Sequence, residues 1–116
     1  MLDLANMKCT PPQEGGKSLS DAEIEQYLIQ VPGWQVIDNE GVKGIGKRFE
    51  FGDFAGPLEF ALRVGRLAEE EQHHPAFFFA WGRALLSWRT HTVKGLSLND
   101  FIMAAKTDEI YAQLTK

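Results

Sequence analysis

Cysteine is nearly absent from this chain. Cys9 stands alone, so no intramolecular disulfide can form and no thiolate cage can hold a metal ion. That usage fits a reducing compartment, and Cys9 reads as an unremarkable surface thiol. Runs of one charge are missing too. Lysine and arginine are scattered and the formal net charge is −4, which argues against a nucleic-acid partner. No apolar run approaches the length that spans a bilayer. The first residues, Met1 to Lys8, lack a basic stretch followed by an apolar one, so no secretory signal is expected. These absences together predict a cytoplasmic protein that meets neither membrane nor nucleic acid.

The rest of the composition is ordinary for a soluble domain. The 116 residues are 44% hydrophobic and 24% charged, enough for one core and too few for two. Residues 1–18 hold Pro11-Pro12 and Gly15-Gly16 with little apolar periodicity, and read as a flexible or draped leader. Residues 19–116 read as a single domain. Ser20 and Glu23 have capping-box spacing, and Ile24, Tyr27, Leu28 and Val31 fall on one helical face. Pro32-Gly33 stops that helix. A short strand from Trp34, turn residues Asp38 to Gly41, and a return strand Val42 to Phe51 make a hairpin. Gly44 and Gly46 are candidates for a bulge.

Asp53 opens a second helix, with Pro57 tolerated in its first turn. Its apolar face is wide: Phe54, Leu58, Ala61 and Leu62 beside Phe60, Val64 and Leu67. It should end near His74, because Pro75 disfavours helical geometry before it. Ala76 to Trp81 and Ala84 to His91 form a second hairpin. There Leu86, Trp88 and Thr90 share one face, and Ser87, Arg89 and His91 the other. Ser97 caps a last helix whose core face is Leu98, Phe101, Ile102 and Ala105. The predicted order is α-β-β-α-β-β-α. This is an α+β fold, with a four-stranded antiparallel sheet and helices packed on one face.

All three histidines, His73, His74 and His91, fall within nineteen residues. Imidazole gives and takes protons near neutrality, so such a cluster suits proton transfer on a small molecule. Glu69 and His73, and Glu70 and His74, are four apart and can meet on a helix surface, where the helix C-terminus also favours a cation. Three histidines and a carboxylate would suit zinc as well. Adjacent helical residues diverge by about a hundred degrees, however, and helical metal ligands sit three or four apart. No metal is expected. Asp100, three residues after Ser97, reads first as a helix cap. Phe77, Phe78, Phe79, Trp81 and Trp88 could stack a flat heterocycle but at strand spacing read as core.

The pattern Glu69-x3-His73-His74-Pro75-x5-Trp81-x9-His91-x8-Asp100 resembles the signature of the pterin-4a-carbinolamine dehydratases. Pro32-Gly33-Trp34, Arg48 to Phe54, Ala68-Glu69, Gly95-Leu96 and Asn99-Asp100-Phe101 also look like family positions. The resemblance implies dehydration of 4a-hydroxytetrahydropterin to quinonoid dihydropterin, as in tetrahydrobiopterin recycling, without metal or organic cofactor. It also implies that His73 and His91 are the acid/base pair and that His74 holds the pterin and handles protons. Glu69, Gln72, Arg89 and Thr90 would bind substrate and Asp100 would support the site. Gln72 and Arg89 depart from the residues common at those places. The resemblance further implies a homo-oligomer, dimer or tetramer. Some family-like chains are binding or assembly factors instead, which is the alternative to an enzyme.

Overall fold

The computed structural model describes residues 2–11 and 16–116. In chain order they build α1 (Asp21–Leu28), β1 (Gln35–Asn39), β2 (Val42–Glu50), α2 (Ala55–Glu71), β3 (Ala76–Ala80), β4 (Arg83–Trp88) and α3 (Leu98–Leu114). Short 3-10 turns lie at Leu4–Asn6 and His91–Val93. The α+β class and the α-β-β-α-β-β-α order are those expected. The capping box of α1 closes: Glu23 N–H donates to Ser20 Oγ, and Ser20 N–H to Glu23 Oε1. Among the described residues no helix is long and apolar enough to cross a membrane.

The sheet is antiparallel with strand order β1-β2-β4-β3, so the two hairpins join through β2 and β4. Period-two alternation sends Ile45 and Phe49 of β2, and Ala84, Leu86 and Trp88 of β4, to the helical side. The opposed pairs Ile45–Trp88 and Phe49–Ala84 meet there, covered by α2 and α3. Phe49 centres this core, with ring centroids 4.8 Å from Phe60, 4.9 Å from Tyr111 and 5.9 Å from Trp34. The other side of the sheet is open, and Ile37, Phe78 and Leu85 are exposed on it.

Several expectations need correction. Gly44 and Gly46 mark no bulge, since the β1–β2 register runs unbroken from Gln35–Gly46 to Asn39–Val42. They are needed for room instead. A Cβ on Gly46 would lie 2.2 Å from Ile37 Cδ1, and one on Gly44 would lie 3.0 Å from the Trp88 carbonyl and 3.2 Å from Arg89 Nε. Only half of the wide apolar face of α2 is covered. Phe60, Val64 and Ala68 are buried, while Phe54, Leu58 and Leu62 are exposed. β4 ends at Trp88 rather than His91, and Thr90 closes only a single bridge to Gly95.

The described part of the leader lies against α3. Leu4 is buried, and Lys106 Nζ donates to the Ala5 carbonyl at 3.0 Å. Thr10 and Asn99 exchange two hydrogen bonds, Thr10 N–H to Asn99 Oδ1 at 3.0 Å and Asn99 Nδ2 to the Thr10 carbonyl at 2.7 Å. These anchors are isolated residues, so no periodic pattern announces them.

Phe49→Ala should destabilise the protein by about 3–5 kcal/mol, the usual cost of emptying a buried aromatic site. Urea unfolding measures this. A loss below about 1 kcal/mol would show that Phe49 does not centre the core.

Candidate active site

The site begins at the end of α2. Gln72 adopts the left-handed conformation (φ 53°, ψ 42°), and the backbone N–H groups of Gln72 and His73 both donate to the Ala68 carbonyl. Gln72 Nε2 also donates to the Glu69 carbonyl at 2.6 Å. The helix therefore stops before both histidines. The Glu69–His73 and Glu70–His74 pairs expected on a helix surface do not form. His73 is buried and His74 exposed.

His73 Nε2 lies 2.6 Å from Asp100 Oδ1. Its ring is stacked on Trp88, with centroids 5.8 Å apart and planes inclined by 11°. The indole Nε1 of Trp88 is buried with no hydrogen-bond partner among the described residues, so its area and not its polarity accounts for its place. Asp100 is wholly buried. Its Oδ2 accepts from Thr90 Oγ1 at 2.8 Å and from Ser97 N–H at 2.9 Å. Asp100 thus caps α3 as expected, but its other oxygen grips His73. Thr90 spends its one hydroxyl hydrogen on Asp100, so Ser97 Oγ donates to Thr90 Oγ1 across their 2.6 Å contact. A buried carboxylate needs such donors, because leaving it unpaired costs several kcal/mol.

His74 Nε2 meets Glu69 Oε1 at 2.6 Å, with both side chains more than half exposed. Such a pair adds little stability, about 0–1 kcal/mol, but it does set the direction of the imidazole. His91 opens the 3-10 turn after β4 and is exposed. Arg89 lies over Gly44 on the open side of the sheet.

One cavity of about 550 Å³ gathers these residues, with His73, His74, His91, Gln72, Arg89 and Thr90 in its wall. Glu69 reaches it through His74, and Asp100 stands behind His73. Asn39 and Ser87 line it as well. Ser87 shares the predicted face of Arg89 and His91, whereas Asn39 arrives from the far hairpin and carries no sequence signal. A larger hollow of about 660 Å³ lies next to it on the open sheet, floored by Ile37, Phe78 and Leu85. It contains no histidine. Among the described residues no three His, Cys, Asp or Glu side chains are grouped so as to hold a metal ion. The arrangement offers three imidazoles, two of them set by carboxylates, beside one guanidinium.

Residues 17–110 match the model of the pterin 4 alpha carbinolamine dehydratase family. The chain belongs to that family. A relative from Cupriavidus pinatubonensis, named "putative pterin-4-alpha-carbinolamine dehydratase 1", is 48% identical over 97% of this chain and 96% of its own. The crystal structure of a transcriptional coactivator/pterin dehydratase from Brucella melitensis is 31% identical, with a TM-score of 0.74, over 81% of this chain and 98% of that one. A pterin dehydratase-like protein described as a RuBisCO assembly factor of the alpha-carboxysome is 22% identical, with a TM-score of 0.59, over 69% of this chain and 90% of its own. At that identity it shares the fold alone.

Cys9 is not the surface thiol expected. It is half-buried, its N–H donates to Glu71 Oε1 at 2.8 Å, and burial followed by the Glu71 charge pushes its pKa from the ordinary 9.0 up to about 12. The folded pKa is the higher one, so this contribution to stability is whole below pH 9.0 and fades as pH rises toward 12. The thiolate is the nucleophile, and its greater basicity only partly offsets its scarcity. Iodoacetamide at pH 9 should therefore modify the folded protein at least roughly tenfold more slowly than the urea-unfolded chain. Equal rates would mean that Cys9 is neither shielded nor perturbed.

Proposed function

We propose that the protein dehydrates 4a-hydroxytetrahydropterin to quinonoid dihydropterin by general acid/base catalysis at its histidines, serving the recycling of a tetrahydropterin cofactor. The convergence of His73, His74 and His91 on one cavity carries this reading. Loss of hydroxide from C4a needs a proton on the leaving oxygen, and the adjoining ring nitrogen must give one up. As a carboxylate, Asp100 only accepts, so His73 donates to it from Nε2 and keeps Nδ1 for proton exchange with substrate. His91 is the complementary proton carrier. His74, aimed by Glu69, holds the pterin and assists transfer. Arg89 and Gln72 contact the polar edge of the ring, and Thr90 keeps Asp100 in place. No metal or organic cofactor takes part in this scheme. A binding or assembly factor that merely keeps the scaffold would have no need of a buried carboxylate directing one of three clustered imidazoles.

The decisive measurement is dehydration of freshly generated 4a-hydroxytetrahydropterin by purified protein, followed optically. General acid/base catalysis contributes about 10²–10⁴ in rate, so His73→Ala or His91→Ala should lower turnover within that range. His74→Ala should also raise KM. Asp100→Asn should lower turnover by about 10²-fold or more, because an amide cannot accept from His73, Thr90 and Ser97 in the way a carboxylate does. Full activity in the three histidine variants would refute the assignment.

We also infer a homo-oligomer, a dimer or tetramer. β1 and β3 are open edges, which invite strand pairing, and the exposed Phe54, Leu58 and Leu62 form a stripe along α2 of the kind that marks an interface. Light scattering at micromolar concentration should give a multiple of 13.0 kDa. A monomer would contradict it.

A further inference from the structure

The His73–Asp100 pair is built from two separate helix ends. His73 follows the last turn of α2, and Asp100 sits in the first turn of α3. Their 2.6 Å contact depends on how those ends are held together. One extended segment touches both. Cys9 N–H donates to Glu71 Oε1 at 2.8 Å, on the final residue of α2. The next residue, Thr10, exchanges two backbone hydrogen bonds with the side chain of Asn99, at 3.0 and 2.7 Å, one position before Asp100. Asn99 is 5% exposed, so its amide is committed to Thr10 rather than to water. Behind these contacts Leu4 is buried and Lys106 holds the Ala5 carbonyl, which fixes the segment along α3.

We propose that Glu71 and Asn99 are positioning residues for the histidine chemistry, joined through Cys9 and Thr10 into a clamp that sets the distance between His73 and Asp100. Neither side chain lines the cavity. Each acts through its neighbour: Glu71 fixes the exit of α2 ahead of the left-handed Gln72, and Asn99 fixes the entry of α3. The two backbone bonds to Thr10 resist both sliding and rotation of Asn99, which a single bond would not. The proposal rests on the dehydratase reading for its kinetic consequence, but the link between clamp and imidazole holds without it.

The test uses full-length Asn99→Ala, Glu71→Ala and Glu71→Gln proteins. Glutamine keeps an oxygen that accepts from Cys9 N–H and loses the charge. Glu71 is half-buried, outside the central core, so its variants remain folded even where Asn99→Ala is destabilised. Two quantities are read: kcat and KM for dehydration, and the exchange rate of the His73 Nε2 proton by nitrogen-15 NMR without substrate. A misplacement of about 1 Å costs up to about 10² in rate. Asn99→Ala and Glu71→Ala should therefore lower kcat roughly tenfold with KM within about twofold, and speed the Nε2 proton exchange. Glu71→Gln should restore both. Parental kcat and parental exchange in folded Asn99→Ala and Glu71→Ala overturn the proposal. So does Glu71→Gln behaving like Glu71→Ala, because charge rather than anchoring would then be responsible. If the parent protein fails to dehydrate the pterin, the function reading falls, and the exchange measurement alone decides the clamp.

Discussion

The site depends on one buried carboxylate. Asp100 is removed from water and must find partners inside the protein, and it finds three: the imidazole of His73, the hydroxyl of Thr90 and the N–H of Ser97. Each comes from a different place in the chain. The ring follows α2, the hydroxyl follows β4, and the N–H begins α3. A residue that helix capping alone would explain is thus the point where three elements are tied. Removing it would leave His73 unanchored and the Ser97 N–H without its acceptor. Hydrogen bonds to a charged group contribute about 1.5–3 kcal/mol each, enough to hold an imidazole in one tautomer and one orientation.

The division of the two adjacent histidines follows from a backbone event. On a continuing helix His73 and His74 would both have faced partners four residues back. Gln72 instead turns left-handed and bonds its side chain to the Glu69 carbonyl. That turn sends His73 under Trp88 and leaves His74 outside with Glu69. One histidine is buried against the core, the other is exposed beside a carboxylate. The pair can divide labour because the helix ends at Glu71, earlier than the proline alone requires.

The fold was legible from period and punctuation. Alternation in β2 and β4 and the Ser20–Glu23 box are local signals that the structure keeps, whereas α1 ends at Leu28 and α2 at Glu71, each ahead of the proline expected to stop it. What was not legible is non-local. The left-handed Gln72 has no composition cue, since glutamine is no special friend of that conformation. The width of the α2 face suggested burial on both flanks, yet Phe54, Leu58 and Leu62 stay exposed, although the Phe54 ring lies 5.9 Å from that of Phe79. Clustering of the histidines was visible in the numbering, but the Asp100–His73 contact spans twenty-seven positions. Asn39 and the Thr10–Asn99 clasp arise from tertiary proximity alone. The family resemblance supplied the signature residues without their directions.

The joining of β2 to β4 carries a last consequence. Every second residue of β4 points to the helices and the rest point to the open side, and the register Ile45–Trp88 decides which. Slipping that ladder by one residue would exchange the two sets. Trp88 would face solvent, and Arg89, neighbour of Gly44, would be driven under the helices. The apolar core and the Arg89 side of the cavity are therefore set by the same register. A chain that mispairs here loses both together, and it exposes apolar surface as it does so.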